Sequence, residues 1–175
     1  CLYMLISVLS AGINSWVPLT ASLLFAVHPI HTEVVANIKS RDEILSLLFL
    51  ILALIQTLKG SMKNRLLGSL LFFLALLSKE NAITGLAIIP ASVFFFRSTN
   101  VRAIMKQTFP FFIAALIYIL LRSKFAGMIG DRETKDILDN PFVFATFSER
   151  LATVVFIAGK YLSLIFWPYP LSYDY

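Results

Sequence analysis

The sequence predicts an all-α, polytopic helical membrane protein with about six to seven hydrophobic helices. Three observations lead there. Hydrophobic residues make up 58% of the 175-residue chain and charged residues only 14%, with a mean hydropathy of +0.82. A soluble domain of this size needs more polar surface to cover its core. Uncharged apolar blocks such as 44–58 and 83–96 recur along the chain at intervals of about 20 residues, the length of a bilayer-crossing helix. The apolar residues cluster and do not alternate, which argues against a β-barrel.

Taken in order, residues 1–11 are apolar and complete a span whose beginning is expected to precede Cys1. Residues 12–15 form a turn in which Asn14 or Ser15 can cap the next helix. The run 16–27 starts with Trp16, an interfacial anchor, and holds Pro18 in its first turn, where a missing N–H costs little. A polar loop follows over 28–43, and its end, Ser40-Arg-Asp-Glu43, has the spacing of a capping box before the run 44–58. Residues 59–65 are a short basic connection. The run 66–77 is short for a span, about 18 Å at the helical rise, so Lys63 and Arg65 are expected to snorkel. A tight polar turn at 78–81 leads into 82–96, and a second basic connection covers 97–107. The run 109–121 crosses again, and 122–150 is the longest polar stretch. A last apolar segment, 152–167, is capped by Thr146-x-x-Glu149, and both a spanning and an interfacial placement fit it. Gly68, Gly85 and Ala87 suit close helix contacts.

Charge placement orients these helices. Numbered alternately, the connections 12–15, 59–65 and 97–107 carry six Lys/Arg and no acid. The connections 28–43, 78–81 and 122–150 carry eight Lys/Arg and nine acids. The positive-inside rule puts the acid-free set in the cytoplasm and the mixed set on the external or lumenal face. The net charge of +5 is therefore topological, and nucleic acid is not expected as a partner. Cys1 is the only cysteine, so no internal disulfide can form.

The external set concentrates the chemistry. Loop 28–43 packs two histidines, three carboxylates and two basic residues between apolar runs, where polar groups are costly and mark a site by default. Arg41 and Lys79 could hold a lipid-linked phosphate and stabilise it as a leaving group. A carboxylate or imidazole could orient or deprotonate an acceptor hydroxyl. Plainer readings stand beside these. His28 and His31 also suit hydrogen bonds to free helix-end carbonyls, Glu33 suits pairing with Lys39 or Arg41, and Lys79 and Glu80 suit a mutual pair. A metal site from His28, His31 and Glu33 lacks the H-E-x-x-H spacing, and no metal or other cofactor is predicted. The alternating charges of 122–150 read first as a solvated surface.

The string Leu24-Phe-Ala-Val-His-Pro-Ile-His-Thr-Glu33 with Arg41-Asp42, Leu77-Ser-Lys-Glu80, Asp139-Asn-Pro141 and Pro170-Leu-Ser-Tyr-Asp174 occur in that order. This series resembles the TMTC family of transmembrane O-mannosyltransferases and its bacterial relatives, which usually carry tetratricopeptide repeats after the membrane part. The resemblance covers essentially the whole chain and implies a GT-C glycosyltransferase fold. It implies a polyprenyl- or dolichyl-phosphate sugar donor and transfer to protein Ser or Thr hydroxyls on the lumenal or periplasmic face. The site would then be in a multi-pass protein of the endoplasmic reticulum or bacterial inner membrane. It implies acidic catalytic residues in a loop before Cys1 and repeats after Tyr175. Residues 1–175 are accordingly expected to be an internal fragment, inactive alone. On this resemblance His28, His31, Glu33, Arg41, Asp42, Lys79 and Glu80 would form its donor-facing set. The competing class is a transporter or a non-catalytic membrane scaffold. A transporter would hide polar groups near the midplane and show matched halves, whereas here the polar groups sit at loop ends.

Overall fold

The computed structural model describes residues 1–10, 14, 16–125 and 144–169, with the side chain of Glu33 outside that set. The motifs Asp139-Asn-Pro141 and Pro170-Leu-Ser-Tyr-Asp174, and most of the expected loop 122–150, lie outside the described residues. Those described form helices and no strand. The helices are α1 Leu2–Leu9, α2 Trp16–Val27, α3 Thr32–Ala36, α4 Arg41–Lys59, α5 Met62–Ser78, α6 Gly85–Phe96, α7 Val101–Phe125 and α8 Phe147–Phe166.

Local chemistry explains most boundaries. Trp16 N–H donates to Asn14 Oδ1 at 3.1 Å, as a cap before α2 should. Gly60 ends α4 with φ 78°, the left-handed conformation that glycine adopts without strain. The Ser61 hydroxyl then accepts from Asn64 N–H at 3.2 Å and starts α5. The Thr146–Glu149 capping box forms at α8, with Thr146 N–H donating to Glu149 Oε2 at 2.7 Å.

Several expectations need correction. Loop 28–43 is not open chain: it folds into 3₁₀ turns at Pro29–His31 and Ile38–Ser40 around α3. His28 Nδ1 and Asn37 Oδ1 start those turns by accepting from Ile30 N–H and Lys39 N–H. The Ser40–Glu43 capping box does not form, because the second turn runs straight into α4 and leaves Ser40 without a capping hydrogen bond. The basic connection 97–107 shrinks to 97–100, since Asn100 Oδ1 accepts from Arg102 N–H at 3.0 Å and α7 begins at Val101.

The core sits among α4, α5, α6 and α7. Phe72, Phe111, Leu76, Ile89 and Val93 are buried, and the Phe72 and Phe111 rings lie 5.8 Å apart. Small residues permit this approach. A Cβ on Gly68 would lie 3.1 Å from the Phe111 ring and 3.2 Å from the Ala53 carbonyl oxygen. A Cβ on Gly85 would lie 2.6 Å from the Phe72 ring. Ala87 is exposed and makes no such approach; Ala53, Ala75 and Ala115 fill that role.

α5 and α7 run side by side in the same direction, tied at both ends. At one end Arg65 Nη1 donates to the Lys106 carbonyl at 3.1 Å. That carbonyl faces Pro110 four residues on, which has no N–H to give it, so Arg65 replaces the missing helical bond. At the other end Arg122 Nη1 donates to Glu80 Oε2 at 2.5 Å.

Among the described residues, α7 alone is by itself long and apolar enough to cross a membrane. The bent pair of α2 with Pro29–Ala36, at 52°, makes a second if counted as one broken span. α4 carries Arg41, Asp42, Glu43 and Lys59 within its 19 residues, α5 has 17 residues and α6 has 12.

Candidate functional site

One end of the α4–α7 group carries a cluster of charged side chains. α4 brings Asp42 and Glu43 in its first turn, where carboxylates also suit the helix dipole. α5 ends at Lys79, whose extended backbone (φ −150°, ψ 132°) separates it from the 3₁₀ turn Glu80–Thr84. α7 brings Tyr118 and Arg122, one turn apart on one face.

Their geometry is closely paired. Lys79 Nζ donates to Asp42 Oδ2 at 2.8 Å and lies 3.2 Å from Glu43 Oε1. Arg122 Nη1 donates both to Glu80 Oε2 at 2.5 Å and to the Tyr118 hydroxyl at 2.9 Å. Arg122 Nε is buried and has no partner among the described residues. Asp42, Lys79, Glu80, Tyr118 and Arg122 line a polar cavity of about 240 Å³ between the helix ends.

The electrostatics fix protonation states. The Lys79 hydrogen bond, outweighing partial desolvation, holds the Asp42 carboxyl below its ordinary range. Asp42 in turn, with Glu43, raises the Lys79 ammonium. At neutral pH Asp42 is therefore a poor proton acceptor; it is suited to orienting Lys79. The two cations retain donors beyond those already engaged, an arrangement that can grip an anion such as a phosphate.

The histidines form a separate group. His28 Nε2 lies 3.0 Å from the Ile165 carbonyl oxygen in the last turn of α8. With Nδ1 accepting from Ile30 N–H at 3.3 Å, this fixes the Nε2–H tautomer and uses both ring nitrogens. The His31 ring packs against Phe25 with centroids 4.2 Å apart and a tilt of 38°, and it lies 6.0 Å from the His28 ring. Burial first, then the neighbouring His28, lowers the His31 pKa, leaving that imidazole neutral at pH 7.

Of the seven residues singled out by sequence, Asp42, Lys79 and Glu80 thus meet at one cavity. His28 and His31 lie together but make no contact with it among the described residues. Arg41 is exposed without a polar partner among the described residues, and the Glu33 side chain lies outside them. Among the described residues no three His, Cys, Asp or Glu side chains group as metal ligands. Sequence reasoning missed Glu43, assigned to a cap, and Tyr118 and Arg122, assigned to an apolar run and a solvated loop. The available signal was the Tyr-x-x-x-Arg spacing where that run ends.

The chain is 34% identical over 160 residues to a protein O-mannosyl-transferase of Caenorhabditis elegans, covering 89% of this chain and 22% of that protein. It is 32% identical over 185 residues to the protein O-mannosyl-transferase tmtc2 of Xenopus laevis, covering 94% of this chain and 22% of that one. Human protein O-mannosyl-transferase TMTC4 is 37% identical over 81 residues, 40% of this chain and 11% of the human protein. The chain thus spans 22% of the length of the first two relatives. No protein-family model matches the chain, and no solved structure does.

Proposed function

We propose that this chain, a TMTC-type sequence by its homologues, forms part of a multi-pass membrane glycosyltransferase of GT-C type. The enzyme moves a sugar, mannose by analogy with its relatives' names, from a polyprenyl- or dolichyl-phosphate donor to Ser or Thr hydroxyls of a protein. The reaction takes place on the lumenal or periplasmic face of the endoplasmic reticulum or bacterial inner membrane. The observation that carries the reading is the polar cavity with Lys79 and Arg122 at its walls.

The chemistry asks for such a site. As the bond between the sugar and the donor phosphate breaks, its electron pair moves to the phosphate oxygen. The acceptor hydroxyl forms the new bond and passes its proton to a carboxylate base, which the resemblance places before Cys1. Charge therefore develops on the phosphate, and cations already held in place lower the barrier to its departure. Asp42, Glu43 and Glu80 hold the cations in position before donor arrives. Membrane embedding is supported by the apolar periphery, where Leu70, Leu116, Leu120 and Phe95 are 55%, 57%, 59% and 74% exposed.

The test is donor binding by the full-length protein in nanodiscs, using radiolabelled polyprenyl-phosphate-mannose. Native protein is expected to bind, and Lys79→Ala or Arg122→Gln to weaken binding by tenfold or more, about the loss of one charge-assisted contact. Binding untouched by both substitutions would remove the donor from this cavity. No binding by native protein would favour a scaffold or another donor sugar.

A further inference from the structure

A second groove lies at the opposite end of the same helix pair. Its head is a cavity of about 420 Å³ between α5 and α7, lined by Met62, Arg65, Met105, Lys106, Phe109 and Pro110. A further cavity of about 250 Å³ continues along the seam past Pro110, between Leu70 and Phe73 on one side and Ile113 and Ile117 on the other. Pro110 belongs to both, so one groove runs from two cations onto hydrocarbon. We infer that this groove binds an anionic phospholipid, its headgroup at Arg65 and Lys106 and an acyl chain along the α5–α7 seam.

The charges argue for that occupant. Arg65 spends Nη1 on the Lys106 carbonyl and keeps its positive charge, with no carboxylate paired to it among the described residues. The Lys106 ammonium is also without a partner among the described residues. The stretches 59–65 and 97–107, which hold Arg65 and Lys106, contain no acid to neutralise them. A zwitterionic headgroup brings its own cation and would leave the two positive charges uncompensated. An acidic one satisfies them where its tail meets apolar side chains, the usual form of a headgroup pocket between membrane helices. Two methionines and an aromatic ring at the mouth can adapt to a mobile chain.

The inference rests on the membrane reading above, and the experiment separates the two. Full-length protein is challenged with carbonate in its membranes, then purified and scored by native mass spectrometry for retained phosphatidylglycerol against phosphatidylcholine. The native protein is expected to resist carbonate and to keep phosphatidylglycerol preferentially. Lys106→Gln should cut that preference about fivefold, the effect of one cation at a lipid surface. Arg102→Gln, at the same end but outside the groove, should leave it intact. Equal retention of both lipids by integrated native protein, or an equal loss from the two substitutions, overturns the groove alone. Release by carbonate overturns the membrane reading with it.

Discussion

Lys79 is where one backbone choice sets up the chemistry: its extended conformation stops α5 and brings the ammonium to two carboxylates of α4. The pair has a defined pH signature. Asp42 titrates below its ordinary value in the folded protein, so its contribution is complete above the ordinary carboxylate range and disappears as pH falls through the lowered value. Lys79 titrates above its ordinary value, so its contribution is complete below the ordinary lysine range and disappears as pH rises through the raised one. Stability from this pair is therefore flat between about pH 5 and 9 and falls at both extremes. With side chains 31% and 37% exposed, the pair is screened by salt and its contribution is modest. Thermal melts of native protein and Asp42→Asn across pH should show a shallower acid limb in the variant. Superimposable acid limbs would mean that the contact contributes nothing to folding.

At the scale of elements, two similar motifs behave differently. Ser40-x-x-Glu43 and Thr146-x-x-Glu149 are equivalent in sequence, yet only the second forms a capping box. The difference is spatial. Glu43 lies 3.2 Å from Lys79, a residue distant in sequence, while a 3₁₀ turn occupies the backbone at Ser40. Thr146→Ala should cost α8 about 1 kcal/mol. Amides in its first turn should exchange roughly fivefold faster, while Ser40→Ala should leave the start of α4 unchanged. Equal effects at the two sites would contradict the cap assignment. The same contrast marks what the sequence could reveal. Helix α2, the Asn14 cap and the small-residue contacts at Gly68 and Gly85 follow from local pattern and are present. Asp42, Lys79 and Glu80 were legible because charges between apolar runs are conspicuous. Arg122, Tyr118 and the Arg65 bond to the Lys106 carbonyl were not, because each depends on α5 and α7 lying side by side.

For the whole molecule, the decisive property is that its two ends differ. One end holds Lys59, Lys63, Arg65, Arg97, Arg102 and Lys106, and the other holds Asp42, Glu43, Lys79, Glu80 and Arg122. α5, about 25 Å at the helical rise, runs beside α7, which among the described residues is alone long and apolar enough by itself to cross a bilayer. Charge alone then sets the direction. Under the proposed membrane reading, the positive-inside rule puts the acid-free end in the cytoplasm and the mixed cluster outside or in the lumen. That orientation would let the proposed donor cavity at Lys79 meet a lumenal or periplasmic acceptor, while the proposed lipid groove at Arg65 faces the cytoplasmic leaflet, the one rich in anionic lipid. Cys1 is the chain's only cysteine, so a Cys1→Ser background admits single reporters at Lys63→Cys and Asn81→Cys. In sealed vesicles with the cytoplasmic face inward, an impermeant maleimide should label the Asn81→Cys protein at once and the Lys63→Cys protein only after permeabilisation. Labelling of both from one side would mean that α5 does not cross, removing the membrane frame from the donor site and the lipid groove together. The reverse pattern would keep the bundle but place the cavity on the cytoplasmic side, and a lumenal or periplasmic transfer would have to be abandoned.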